Sequence, residues 1–250
     1  MYRYLSLILL ASLLMVSCSK NMQHLADAEI EYIEANESIV GSSQTDSGIS
    51  TIIQPYKDEL VDEMSTVLGQ LPEDLKKSRP NSNMGNWFCD GLLHMANKYS
   101  SNKVDFAIQN YGGLRLPYLN RGPVTVQNIF ELMPFDNKLV ILAMDETQMQ
   151  DLLDNIADDG GWPISRGVSF SIEEEKAIDI KINGQPLGNK KTYQVALPDY
   201  VANGGGGCHF LKSIPQEDTG YYIRDVFIDY LKDIKEAGKQ ITVDSSKRIF

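Results

Sequence analysis

Apolar residues first recur with a helical period after residue 50. Ile53, Tyr56, Leu60, Met64, Val67 and Leu68 return every three or four positions, which predicts an amphipathic helix from about Ile52. Pro55 stands where the first turn of a helix tolerates it. A second helix is predicted from about Asn83 to Tyr99, with Trp87, Phe88, Leu92 and Met95 as its apolar stripe. The run Val104 to Ile108 is short and apolar and reads as a buried strand. Thr125 is placed to cap a short helix reaching Met133, Lys138 to Met144 is a strand, and Asp145 can cap a helix burying Met149, Leu152, Leu153 and Ile156.

The pattern then turns to alternation. Val168 to Ile172 and Ile178 to Ile182 read as strands, followed by Asn183-Gly184, a tight-turn signal. Thr192 to Leu197 gives another strand and runs directly into a glycine-rich loop, Asp199 to His209. Tyr222, Val226, Phe227, Tyr230, Leu231 and Ile234 define a last amphipathic helix. Helices and strands mix without strict βαβ alternation, so the expected fold class is α+β, a mixed sheet packed with helices.

Residues 1–17 have the pattern of a targeting segment: Arg3 supplies positive charge and Leu7 to Val16 an apolar run too short to span a bilayer. The segment ends in Met15-Val16-Ser17-Cys18, which resembles a bacterial lipobox. Cys18 is then the expected lipidation site and anchors the chain to a membrane in the bacterial cell envelope, periplasmic or surface-exposed. Residues 18–50 are polar and read as a tether, with Glu29 to Ile33 as a possible edge strand, and 51–250 as one domain.

Composition narrows the function. Of 250 residues, 42% are hydrophobic and 23% charged, enough for a sizeable core. A formal net charge of -11 argues against a nucleic-acid polymer as partner, since such proteins carry a basic stripe. Isolated arginines beside glycines therefore carry more information than the total. Three histidines, His24, His94 and His209, form no metal-ligand pair, no Cys-x-x-Cys occurs, and no metal site can be assembled. There is no Gly-x-Ser-x-Gly, and Asn203-Gly204-Gly205-Gly206-Gly207 lacks the ending of a P-loop. No catalytic residue is assigned. Cys89 and Cys208 could pair or remain separate thiols; the place of Cys89 in a core helix favours the second.

What remains is a recognition set on loops. Asn110-Tyr111-Gly112-Gly113-Leu114-Arg115 follows a strand; its Asn carries two donors and one acceptor, and its Arg a fork suited to phosphate or carboxylate. Phe135 precedes one strand and Tyr200 follows another, and two such aromatics can sandwich a flat ring for about 1–3 kcal/mol per stacked base.

Across residues 50–250 the chain resembles the C-terminal domain of the 5'-nucleotidase family. Four blocks in order carry the likeness: Pro55-Tyr56-Lys57; Asn83-Met84-Gly85-Asn86 with Cys89-Asp90; Asn110 to Arg115 with Val124-Thr125, Asn128 and Met133-Pro134-Phe135; and Thr192-Tyr193, Leu197-Pro198 and Ala202-Asn203-Gly204-Gly205. The resemblance implies that Phe135 and Tyr200 sandwich a base, that Asn110 hydrogen-bonds the ligand, and that Arg115 and Arg79 face a phosphate. Gly206 stands where the family usually carries an Asp that accepts from the ribose hydroxyls, which implies near-equal binding of ribose and deoxyribose ligands and a return of ribose preference in Gly206→Asp. Arg79 is out of register with the family's arginine. The residues that would make up the family's metal-dependent phosphoesterase domain are not expected within these 250 residues. The resemblance thus implies a nucleotide- or nucleoside-recognition unit that binds no cofactor itself and works with a separate metallophosphoesterase chain carrying divalent metals. The alternatives are a non-catalytic nucleoside-binding lipoprotein and a decayed pocket.

Overall fold

The computed structural model describes residues 47–250, with side chains from residue 51. The expected leader, Cys18 and nearly all of the tether, Glu29 to Ile33 included, lie outside the described residues. In chain order the elements are α1 (Ser47–Ser65), β1 (Val67–Leu71), β2 (Leu75–Lys76), α2 (Asn83–Tyr99), β3 (Phe106–Ala107), β4 (Tyr118–Leu119), β5 (Gly122–Thr125) and α3 (Val126–Leu132). There follow β6 (Lys138–Met144), α4 (Glu146–Asp158), β7 (Val168–Glu173), β8 (Lys176–Ile182), β9 (Gln185–Pro186), β10 (Tyr193–Pro198), α5 (Asp199–Ala202), β11 (Gln216–Tyr222) and α6 (Ile223–Glu236). Single 3-10 turns form at Tyr111–Gly113, Gly205–Gly207 and His209–Ser213.

The centre is a four-stranded mixed sheet in the order β11-β6-β10-β3, with β3 parallel to β10 and the other pairs antiparallel. Its inner strands are apolar on both faces, so alternate residues enter different cores. Leu139, Ile141, Ala196 and Ala107 face α2, α3 and α6, where Trp87, Phe88, Ile129, Val126 and Phe227 are buried. Val140, Leu142, Met144, Val195 and Phe106 face the opposite way, onto Met149, Leu152, Leu153 and Ile156 of α4 and onto Phe170 and Ile182 of the β7–β8 hairpin. Each fully buried Leu, Ile or Phe contributes about 1.5–3 kcal/mol. The fold is thus the mixed α+β arrangement that the pattern predicts, and residues 53–250 form one compact unit.

Local signals act where expected. Thr125 and Asn128, and Asp145 and Gln148, form reciprocal capping boxes at the starts of α3 and α4. Asn183 and Gly184, with φ of 51° and 78°, make the two-residue turn between β8 and β9. Cys89 and Cys208 are buried and unpaired, and burial pushes both thiols up from their ordinary pKa.

The first helix differs from its prediction. It spans Ser47–Ser65, so Pro55 lies in its interior, and Val67 and Leu68 belong to β1, paired with β5. The helical period continued by chance into a strand. The stripe is also not a core face: Ile53, Tyr56 and Leu60 are 52%, 73% and 53% exposed. At the other end, Ile249 forms a parallel bridge with Phe170, and Arg248 is buried against Asp90 by two bonds of 2.9 and 2.8 Å.

Candidate functional site

The register of the central sheet assembles the site. Pro198 faces Leu139 across the antiparallel β10–β6 pair, so the end of β10 adjoins the start of β6. Ala107 lies beside Ala196 in parallel, so the segment after β3 leaves at that same end. Tyr200, two residues past β10, Phe135, three before β6, and Asn110, three past β3, therefore converge. Between them lies a cavity of about 300 Å³ lined by Asn110, Gly112, Gly113, Arg115, Phe135, Asn137 and Tyr200. Pockets for small molecules start at about that volume.

Both aromatics are unusually open, at 38% for Phe135 and 50% for Tyr200. Neither ring is spent on another ring among the described residues. The ring of Tyr200 is backed by the backbone of Gly205, where a Cβ would collide with it. That close approach is what the glycine loop supplies at this position. The Arg115 guanidinium lies 5.9 Å from the centre of the Phe135 ring, and among the described residues no carboxylate pairs with it. Its backbone N–H donates to Leu132 O at 2.8 Å, which fixes where the side chain starts.

Two expected residues sit elsewhere. Arg79 does not line the cavity. Its Nη2 pairs with Asp159 Oδ2 at 2.6 Å, and its guanidinium covers the Tyr111 ring at 3.9 Å. The Arg79 guanidinium is thus turned to Asp159 and Tyr111 rather than into the cavity. Gly206 does not line the cavity either, although a Cβ there would come within 4.0 Å of Asn110. Its φ is 62°, and that Cβ would stand 2.8 and 2.9 Å from the Trp162 ring. Gly206→Asp would therefore strain the backbone and displace buried Trp162, so the simple gain of ribose preference does not follow.

Two further residues belong to this corner. Asn137 lines the cavity; its signal was a polar residue two places after Phe135, just before an apolar strand. Lys77 sets its Nζ 4.0 Å from the centre of the Tyr111 ring and donates to Leu114 O at 2.7 Å. Burial, then Arg115 and Arg79, pull its pKa below the ordinary lysine value. Its sequence signal is the basic run Lys76-Lys77-Ser78-Arg79.

A larger open groove of about 910 Å³ lies between α2 and the β7–β8 hairpin. Its two carboxylates are already engaged, Asp105 by Lys190 and Asp244 by Arg248, and it has no aromatic wall. Among the described residues no group of three or more His, Cys, Asp or Glu could hold a metal ion. His94 is exposed and packs near Tyr230, with ring centres 5.5 Å apart.

This arrangement of sheet, helices and loops matches solved nucleotidase structures. The 5'-nucleotidase precursor from Thermus thermophilus superposes with a TM-score of 0.68 at 26% identity, over 79% of this chain and 41% of that one. The fold alone is shared with Haemophilus influenzae NAD nucleotidase, at a TM-score of 0.63 and 20% identity over 82% and 41% of the two chains. The family model for the 5'-nucleotidase C-terminal domain matches residues 65–213, and the chain belongs to that family. In sequence it is 28% identical to Protein UshA of Escherichia coli over 212 residues, 82% of this chain and 37% of that protein. It is 27% identical to the trifunctional nucleotide phosphoesterase protein YfkN of Bacillus subtilis over 204 residues, 73% of this chain and 14% of that one. The chain thus spans well under half the length of these relatives.

Proposed function

We propose that this chain is the nucleotide- or nucleoside-recognition unit of a 5'-nucleotidase-type phosphate monoester hydrolase, working with a separate metallophosphoesterase chain in nucleotide catabolism. The observation that carries this reading is a cavity where two open aromatic faces, two carboxamides and an arginine with no carboxylate partner among the described residues converge. Phe135 and Tyr200 hold the base between them, and Asn110 and Asn137 supply hydrogen bonds. Arg115 meets the phosphate, with Lys77 behind it. Arg79 is tied to Asp159 and contributes only to the positive potential. The divalent metals that activate water belong to the partner, and this chain's work is to hold the ester in place for attack. In this reading Cys18 carries the lipid anchor and keeps the unit at the cell envelope.

Calorimetry with adenosine and AMP tests the pocket. The wild type binds both, and Arg115→Ala weakens AMP by tenfold or more, since charge-assisted hydrogen bonds contribute about 1.5–3 kcal/mol, while adenosine changes little. Absence of binding to either compound sinks the reading. Binding without activity in the presence of any metallophosphoesterase would favour the nucleoside-binding lipoprotein instead.

A further inference from the structure

Gln109 precedes the recognition motif and is fully buried. Its backbone N–H donates to Pro163 O at 3.0 Å, and its side-chain Nε2 donates to Asn110 Oδ1, also at 3.0 Å. Its Oε1 is buried with no hydrogen-bond partner among the described residues. The Gln109 amide occupies the space that a side chain at Gly113 would need, so any Cβ there would collide with it. Gly112 has no such constraint, its nearest neighbour to an added Cβ lying 3.8 Å away. The motif is therefore an interlock: Gly113 vacates a volume, Gln109 fills it, and Asn110 is held by the contact.

A carboxamide presents either its oxygen or its NH2 in a given direction. With Oδ1 of Asn110 engaged by Gln109, the part of Asn110 left for the cavity is Nδ2, a donor. We propose that Gln109 is a positioning residue that fixes the Asn110 carboxamide NH2-outward, so that the pocket selects a hydrogen-bond acceptor on its ligand. This rests on the nucleoside reading of the cavity and adds to it the polarity of one recognition contact. The unpartnered Oε1 marks Gln109 as a poor choice for stability alone, because a buried acceptor left unpaired is a cost.

That cost supplies the test. Gln109→Met nearly conserves volume and removes the donor and the orphaned acceptor together. Adenosine and AMP affinity should fall about tenfold, the worth of one net hydrogen bond, while the melting temperature holds or rises. Asn110→Asp keeps an oxygen for Gln109 Nε2 but shows the cavity an acceptor, and should bind adenosine at least as weakly. In the ¹⁵N-labelled wild type, the Asn110 NH2 resonances should move on adenosine addition, which keeps the question open to measurement if a variant does not fold. Affinity in Gln109→Met within twofold of wild type, affinity and melting temperature falling together, or Asn110 NH2 resonances unmoved at saturation would each overturn the proposal. If the wild type binds neither adenosine nor AMP, the functional reading itself fails, and that is seen before any variant is made.

Discussion

Lys77 and Arg115 bring like charges near one another, and Lys77 yields by losing proton affinity. Burial, then Arg115 and Arg79, hold its pKa below the ordinary lysine value. The sign of the consequence is fixed. The unfolded lysine binds its proton more tightly, so this group's contribution to stability improves as pH rises through the lowered value. A bound phosphate reverses the shift by favouring the ammonium. AMP binding should therefore take up a fraction of a proton at alkaline pH, and AMP affinity should fall as pH rises through that range. Adenosine should show neither effect. Calorimetry in two buffers of different ionisation enthalpy measures the uptake; equal proton exchange for the two ligands would remove Lys77 from the phosphate side. At this scale the sequence displayed four of the residues that line the cavity. Asn110, Arg115, Phe135 and Tyr200 were legible because all four fall on predicted loops near strand ends, where an Asn and an Arg stand with two aromatics. That Arg79 turns away from the cavity was not legible, because its partner, Asp159, is eighty residues away.

Among elements, capped helices and the apolar or alternating strands β6, β7, β8 and β10 were legible, whereas β1 and β11, which depend on their partners, were not. The cap residues Thr125 and Asp145 announced α3 and α4, and Asn183-Gly184 announced its turn, because each is settled within four residues. β11 has the sequence Gln-Glu-Asp-Thr-Gly-Tyr-Tyr, with no buried residue, and exists only because β6 offers it a backbone ladder. β1 carried on the period of α1 and revealed itself only through β5. The C-terminal segment is also a tertiary product. Arg248 bonds Asp90 twice, Ile164 O at 2.7 Å and Asp244 at 3.1 Å. Asp90 also accepts from the Arg166 backbone at 2.7 Å. Removing one partner of a buried pair strands the other, so Arg248→Met should cost about 3–5 kcal/mol in urea unfolding. A loss below about 1 kcal/mol would show that the tail is not clamped. The pair lies outside the cavity, so adenosine affinity in the folded variant should match the wild type.

For the whole molecule, a net charge of -11 coexists with a small cationic corner at Lys77, Arg79 and Arg115. Total charge reports on solubility and distant partners, and does not describe a local corner of opposite sign. The division of labour proposed above is tested at this scale. Purified chain alone should release no phosphate from AMP, and activity should appear on adding the metallophosphoesterase chain and vanish with a chelator. Hydrolysis proportional to this chain's concentration, with contaminants excluded, would end that division.

The sequence by itself determined the fold class, the ends of the capped helices, the tight turn and the identity of four residues that line the cavity. These rest on short-range chemistry: hydrophobic period, caps, turn residues and side-chain types. Only the tertiary structure decided that those four share one cavity, because the register of β3, β10 and β6 sets which strand ends meet. It alone tied Arg79 to Asp159, pressed Gly206 against Trp162, and set Gln109 behind Asn110. Apart from the Gln109–Asn110 bond, whose direction no neighbouring pair of letters reveals, each joins residues far apart in the chain, where hydrogen bonds and excluded volume act across space.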